Sequence, residues 1–367
     1  MSVDYGARQA KLSALADAVA IVPGTTMQYF TGLDFHLSER PIVAMFMGDR
    51  LAFICPELEV PKLQDGLGDR EIEIFRWTDE DWYEGAFVEA VATLGLAGGT
   101  LALDDMTMRV FEWLAFQRGA GRMGLTARGV GQEILHIRAI KETAEVAAIR
   151  RAIQISEEAL ARTLHQVEPG MSEREIANLL ETELTAAGAQ GLSFAPLVLV
   201  GERAALPHGN SGDRVLGQNE TLLIDFGGLW DGYPADITRT FCLGEPSAQL
   251  SELYDLVLRA NRAAIAVAGP GVPCQEVDRA AREIITEAGY GEAFIHRLGH
   301  GLGLDVHELP QMADGVEATL EEGMVFTVEP GVYLAGEVGV RVEDICLVTA
   351  DGVEVLTSFP RALDALG

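Results

Sequence analysis

Residues 222–241, Leu222-Leu223-Ile224-Asp225-Phe226-Gly227-Gly228-Leu229-Trp230-Asp231-Gly232-Tyr233-Pro234-Ala235-Asp236-Ile237-Thr238-Arg239-Thr240-Phe241, decide the fold. Two apolar runs flank Asp231-Gly232, a dipeptide suited to the positive φ angles of a two-residue hairpin turn. With that turn Trp230 faces Tyr233, and counting outward Gly227 faces Asp236 and Asp225 faces Thr238. Side chains alternate along a strand, so Asp225 and Asp236 emerge on one face as diagonal neighbours. Two bare carboxylates so close on apolar strands repel each other, and a divalent metal removes the conflict. The hairpin alone leaves a second reading open, in which the register differs and one aspartate is a solvated edge residue.

A second stretch adds weight to the first reading. Residues 324–333 (MVFTVEPGVY) place Glu329 at the end of an apolar strand, with Pro330-Gly331 turning the chain. Residues 338–348 (VGVRVEDICLV) put Arg341 and Glu343 on one face and Val340 and Val342 on the other. An isolated carboxylate inside such a strand costs several kcal/mol unless it is paired. A structural Arg341–Glu343 ion pair would account for Glu343 but not easily for Glu329.

The third stretch is His296-Arg297-Leu298-Gly299-His300-Gly301-Leu302-Gly303-Leu304-Asp305-Val306-His307-Glu308-Leu309-Pro310, which holds three of the seven histidines. Its alternating glycines disfavour a helix and allow backbone to approach a ligand closely. His300 and His307 are the candidates here, and His296 reads as structural. His208 lies in the turn-rich Leu206-Pro207-His208-Gly209-Asn210, a setting where functional side chains are common. Oxygen ligands with one imidazole suit Mn²⁺, Co²⁺, Fe²⁺ or Zn²⁺, and the lack of thiolates argues against a soft-metal site. Four carboxylates match the charge of two divalent ions, which together can hold a hydroxide at neutral pH and polarise a carbonyl. Nearby histidines can donate hydrogen bonds to the oxyanion that forms.

Outward from these motifs, residues 18–22, 42–46, 51–55 and 100–103 read as strands, and 7–17 and 83–95 as helices, an interleaving that implies an α/β layer architecture. This part holds no dinucleotide fingerprint, P-loop or nucleophile elbow. The composition changes near residue 127, so the expected domains are 1–126 and 127–367. In the second, amphipathic helices are expected at 141–166, from Ser172 to near Gly188 with a Ser172/Glu175 capping box, at 248–268 and at 275–288. Strands are expected at 195–200, 220–229, 234–243, 324–329 and 340–349.

A length of 367 residues suits two domains, and 48% apolar residues suit a globular enzyme. The 27 basic against 56 acidic residues give a net charge of −29, which argues against nucleic acid and anionic membranes as partners. Most of that acidity reads as a well-solvated surface. The N-terminal stretch lacks the basic-then-apolar pattern of a secretory signal, and no segment approaches eighteen consecutive apolar residues. Cys55, Cys242, Cys274 and Cys346 are widely spaced and form no C-x-x-C pair, so buried free thiols and a cytoplasmic location are expected.

Taken together, these motifs resemble the pita-bread metallopeptidases: prolidase, aminopeptidase P and methionine aminopeptidase, with the metal-free relative creatinase. The resemblance is firm over residues 127–367. Over 1–126 it rests on Tyr29-Phe30-Thr31-Gly32 and overall length, and the N-terminal domain itself favours the prolidase and aminopeptidase P branch. Ile137-Arg138-Ala139-Ile140-Lys141 followed by Glu145 resembles the linker of that branch. The resemblance implies a creatinase-like α/β N-terminal domain and an α+β pita-bread catalytic domain. It implies that Asp225, Asp236, His300, Glu329 and Glu343, in that order, hold two divalent metal ions, with manganese the first expectation and cobalt, zinc or iron the alternatives. Asp236 and Glu343 would bridge, Glu329 would also act as general base, and Arg341 would steady Glu343 from behind. His208 and His307 match the histidines that stabilise the tetrahedral intermediate. The implied substrates are short peptides with proline at the second position, and the implied assembly is a homodimer, with His36 in the 36–40 loop as a residue that could reach a neighbouring site.

One departure stands out. Several compact prolidases carry an arginine after the H-E-x-P segment, and here Gln311 occupies that position. A neutral amide cannot make the bidentate clamp on a dipeptide carboxylate, which leaves room for longer peptides, although Arg297 or Arg203 could supply a clamp from another direction. A non-peptidase hydrolase or a lyase on the same scaffold is the alternative activity. A non-catalytic binding protein, like a metal-free relative, would be expected to lack ligands, and none is missing.

Overall fold

The computed structural model describes residues 3–363. The chain divides into two compact units, one ending at Arg138 and one beginning at Ala139. The sequence-based division falls at 126, within the last strand of the first unit's sheet, so that unit runs twelve residues further (138 − 126 = 12).

The first unit is a six-stranded mixed sheet. Its strands are β1 (Val19–Ile21), β2 (Val43–Met47), β3 (Arg50–Pro56), β4 (Glu73–Trp77), β5 (Thr100–Leu103) and β6 (Thr126–Gly129), in the order β4-β3-β2-β1-β5-β6. β2 runs antiparallel to β1 and β3, and the other pairings are parallel. Its helices are α1 (Tyr5–Ser13), α2 (Thr25–Thr31), α3 (Val60–Leu67), α4 (Glu84–Thr93), α5 (Val110–Ala120) and most of α6 (Gly131–Ala139). Central β1 is buried throughout, as a strand covered on both faces must be. Ala20, Met45 and Ile54 pack with Phe87 of α4 and Phe116 of α5 on one face. On the other, Phe46 meets Phe30 of α2 with ring centroids 6.4 Å apart.

The second unit carries α7 (Thr143–Leu164), α8 (Glu173–Ala187), α9 (Ala248–Val267) and α10 (Cys274–Glu287). The α8 capping box is complete: Glu175 N donates to Ser172 Oγ at 3.3 Å and Ser172 N donates to Glu175 Oε2 at 2.8 Å. The helix stops at Gly188, whose φ of +105° suits glycine. The strands are β7 (Leu197–Val200), β8 (Glu220–Phe226), β9 (Leu229–Trp230), β10 (Tyr233–Pro234), β11 (Ile237–Leu243), β12 (Gly299–Gly301), β13 (Glu308–Met312), β14 (Val325–Val328), β15 (Gly331–Leu334), β16 (Val338–Arg341), β17 (Asp344–Thr349) and β18 (Gly352–Val355). They form sheets β11-β8-β7 and β13-β12-β14-β17-β18 and two-stranded pairs β9–β10 and β15–β16. One apolar cluster unites α7 and α8 with β8 and β11, and another unites α9 and α10 with β14, β16 and β17. All four cysteines are free and buried. Among the described residues no helix is long and apolar enough to cross a membrane.

The hairpin has the expected register, with Trp230 opposite Tyr233 and Asp225 opposite Thr238. Asp231 and Gly232 have φ of +52° and +80°, as the turn requires. The expected strands 220–229, 234–243 and 340–349 are each broken once. At Gly227 a Cβ would lie 1.8 Å from the carbonyl oxygen of Ala235, so the backbones close up there and the ladder is interrupted. At Val342-Glu343 the chain leaves β16, paired with β15, and enters β17, paired with β14. Glu329 occupies the matching joint between β14 and β15, and Asp236 the joint between β10 and β11. Three carboxylates therefore sit where the chain changes ladder partner.

Candidate metal centre

Those joints aim their side chains at one place. His300, on β12, brings Nε2 to 3.4 Å from both Asp236 Oδ2 and Glu329 Oε1. Ligand atoms of Asp236, His300 and Glu343 all lie within 4.8 Å of one another. Asp225, on β8, lines the same cavity, as do Arg341, His208, His296, Arg297 and His307. The cavity is ≈ 740 Å³, and all its lining residues belong to the second unit.

Hydrogen bonds fix the cluster from behind. Arg341 donates to Asp225 Oδ2 at 2.5 Å, to Thr238 Oγ1 at 3.1 Å and to the Tyr333 hydroxyl at 2.9 Å. Thr238 in turn donates to Glu343 Oε2 at 2.8 Å. The hydrogen-bonded route from Arg341 to Glu343 thus runs through the threonine hydroxyl, and the ion pair of Arg341 is with Asp225. Next along the chain, buried Asp344 accepts from Arg239 at 3.0 Å, Arg361 at 2.7 Å, Thr357 at 2.7 Å and Asn261 at 3.1 Å. Burial pushes the Asp344 carboxyl up, but Arg239 and Arg361 outweigh it and hold it below the usual range.

The carboxylates in front are in the opposite state. Burial raises Asp236 well above the usual range, and the charges of Glu343 and Asp225 raise it further. Glu343 is raised by burial, then by Glu329 and Asp225. Glu329 is raised by burial, with Asp225 adding to it against Arg341. Burial also pushes His300 down to about 3, so its imidazole is neutral. Its Nδ1 lies 3.1 Å from the Gly301 carbonyl oxygen and serves as the donor, which turns the Nε2 lone pair toward the carboxylates. Asp225 Oδ1 is buried and accepts no hydrogen bond. The centre is therefore a set of converging acceptors with too few donors, the chemistry that a divalent cation satisfies. Its oxygen and imidazole donors suit a borderline or hard divalent ion.

His307 packs edge-on against His300, centroids 4.2 Å apart, and is exposed at the cavity mouth, as is His208. His296, expected to be structural, also lines the cavity, with Nε2 2.8 Å from the Tyr333 hydroxyl. His36, expected at the site of a neighbouring chain, is exposed in the first unit. Gln311 is not among the residues lining this cavity: its Oε1 accepts from Arg297 and its Nε2 donates to the Glu308 carbonyl at 3.3 Å. Thr238 and Tyr333 were not singled out from sequence, although the hairpin count places Thr238 opposite Asp225.

A family model described as metallopeptidase family M24 matches residues 147–350. An "uncharacterized peptidase" of Staphylococcus aureus (strain MSSA476) is 36% identical over 349 residues, covering 94% of this chain and 96% of the relative. The crystal structure of a recombinant prolidase from Thermococcus sibiricus superposes with a TM-score of 0.91 at 33% identity, covering 99% of this chain and all of that one. An X-Pro aminopeptidase from Thermotoga maritima superposes with a TM-score of 0.85 at 33% identity, covering 97% and 99% of the two chains. A Xaa-Pro dipeptidase from Bacillus anthracis gives 0.89 at 31% identity, covering 98% and 99%.

Proposed function

The chain belongs to metallopeptidase family M24 and has the two-domain pita-bread fold, and from that premise we propose that it is a Xaa-Pro exopeptidase using two divalent metal ions. Asp225, Asp236, His300, Glu329 and Glu343 would hold the ions. Bound there, the ions supply Lewis acidity and make a water acidic enough to furnish a nucleophile near neutral pH. The observation that carries the reading is the acceptor imbalance: a buried, unpartnered Asp225 Oδ1 beside a neutral His300 whose lone pair faces Asp236 and Glu329.

The remaining work falls to the chain's own side chains. Glu329 takes the proton released as the nucleophile attacks and passes it to the leaving amine. His208 and His307, at the mouth, donate hydrogen bonds to the scissile carbonyl oxygen as it gains charge. Arg341 and Thr238 hold Asp225 and Glu343 in place, so no reorganisation is needed during the reaction. A cavity of ≈ 740 Å³ has room for a short peptide. Four buried free thiols are in keeping with a reducing, cytoplasmic setting.

The test is a panel of Xaa-Pro dipeptides and longer Xaa-Pro peptides, assayed with metal-free protein reloaded with Mn²⁺, Co²⁺, Zn²⁺ or Fe²⁺. Cleavage after the first residue, with about two ions bound per chain, supports the reading. Full activity in metal-free protein, or no cleavage with any ion, sinks it.

A further inference from the structure

An asparagine sits in the middle of the apolar face of α9. Asn261 is fully buried, in line with Leu253, Val257, Ala260 and Ala264. Asparagine is a poor residue for a helix interior, and an amide taken out of water needs partners. Its Nδ2 donates to the Val328 carbonyl at 3.1 Å, to Asp344 Oδ2 at 3.1 Å and, at a longer 3.5 Å, to the Val342 carbonyl. Three oxygens on one side fix which end of the amide points there. The other end, Oδ1, is buried and has no hydrogen-bond partner among the described residues. An asparagine kept for stability alone would be expected to satisfy both ends. This one is kept for what its nitrogen holds.

It holds the frame of two carboxylates of the centre. Val328 precedes Glu329, and Val342 and Asp344 flank Glu343. Val328–Asp344 is the last pair of the β14–β17 ladder, and Gly331–Arg341 is the first of the β15–β16 ladder. Glu329 and Glu343 lie in the gap between the two ladders. There the N–H of each turns to a third segment, Glu329 to the Leu298 carbonyl at 2.8 Å and Glu343 to the Thr238 carbonyl at 3.1 Å. The backbone link across the gap is long, with Val342 N donating to the Pro330 carbonyl at 3.4 Å. Asn261 spans the same gap with a planar amide mounted on a helix, so both strands are tied to one rigid support.

We infer that Asn261 is a positioning residue: it fixes the separation of Glu329 and Glu343 and so sets how tightly the centre holds divalent metal. The inference rests on the reading of those two carboxylates as metal ligands. It is independent of which peptide is cleaved, because Asn261 acts from behind the centre, through backbone and Asp344.

The experiment measures Mn²⁺ binding to metal-stripped protein by equilibrium dialysis, beside thermal unfolding of the same samples. Asn261→Leu keeps the size and completes the apolar face of α9 but removes the donor. Its affinity for Mn²⁺ should fall by about 10- to 100-fold, the usual cost of losing a group that orients metal ligands from behind. Asn261→Ser retains a donor on a shorter arm and should lose affinity in the same direction but less. Leu253→Ala, two turns earlier on the same face, loosens the packing of α9 without touching either joint. It should lower the unfolding temperature and leave Mn²⁺ affinity unchanged. If Asn261→Leu does not fold, Asn261→Ser decides alone. A folded Asn261 variant that binds Mn²⁺ as wild type does overturns the inference while leaving the metal reading intact. So does a Leu253→Ala variant that loses affinity as much as the Asn261 variants, since the effect is then one of helix packing. A wild type that binds no divalent ion brings down the metal reading first, and this inference with it.

Discussion

At the scale of single residues, Glu329 is the most exposed to test. Its carboxylate is buried at a ladder joint, 3.4 Å from His300 Nε2, and its affinity for a proton is raised by burial and by Asp225. Glu329→Gln preserves shape but removes the charge and the proton acceptor. Turnover should fall by a factor on the order of 10² or more, and metal affinity should weaken; steady-state kinetics with metal analysis checks both, and normal turnover excludes the role. The converging carboxylates were legible in the sequence because strand periodicity makes a charge there anomalous, His300 because it falls in a glycine-rich cluster of histidines, and the set as a whole through the resemblance. Arg341 was legible as a partner but not its target. Sequence spacing suggested Glu343, two residues away, whereas the ion pair is with Asp225, 116 residues distant. For a similar reason, spacing alone does not show that the Gln311 side chain turns to Arg297.

At the scale of elements, a buried ion pair braces the loop that carries His307. Lys141 Nζ lies 2.9 Å from Glu308 Oε2, with side chains 0% and 2% exposed, and Glu308 Oε1 also accepts from Asp305 N at 3.1 Å. Lys141→Met strands a buried carboxylate and should destabilise the protein by about 3–5 kcal/mol. Adding Glu308→Met should recover most of that loss, because a matched apolar pair carries no desolvation penalty. Calorimetry of the two variants checks this, and a single variant as stable as wild type would contradict it. Helices were the most legible elements, since capping residues such as Ser172 and Glu175 mark their ends. Strand breaks were not. The alternation of Val338, Val340 and Val342 slips at Glu343-Asp344 and resumes at Ile345, but that slip does not tell that β16 and β17 pair with different neighbours.

At the scale of the whole molecule, the resemblance to the prolidase and aminopeptidase P branch leads to the expectation of a homodimer. Light scattering at micromolar concentration should return twice the 39.5 kDa of one chain, and a monomer would count against it. With a net charge of −29, the measurement belongs at moderate salt, where self-repulsion between chains is screened. The four buried thiols carry a further consequence. Cys55 belongs to the first unit, and Cys242, Cys274 and Cys346 to the second. Burial raises all four, Cys55 to about 12 and Cys274 to about 11, so the folded chain holds almost no thiolate. An alkylating reagent can then mark only molecules that have opened, and mass spectrometry of the labelled peptides tells which unit did so. Divalent metal should slow marking at Cys242, Cys274 and Cys346 while leaving Cys55 on its own clock, and simultaneous marking of all four would show that the units open as one.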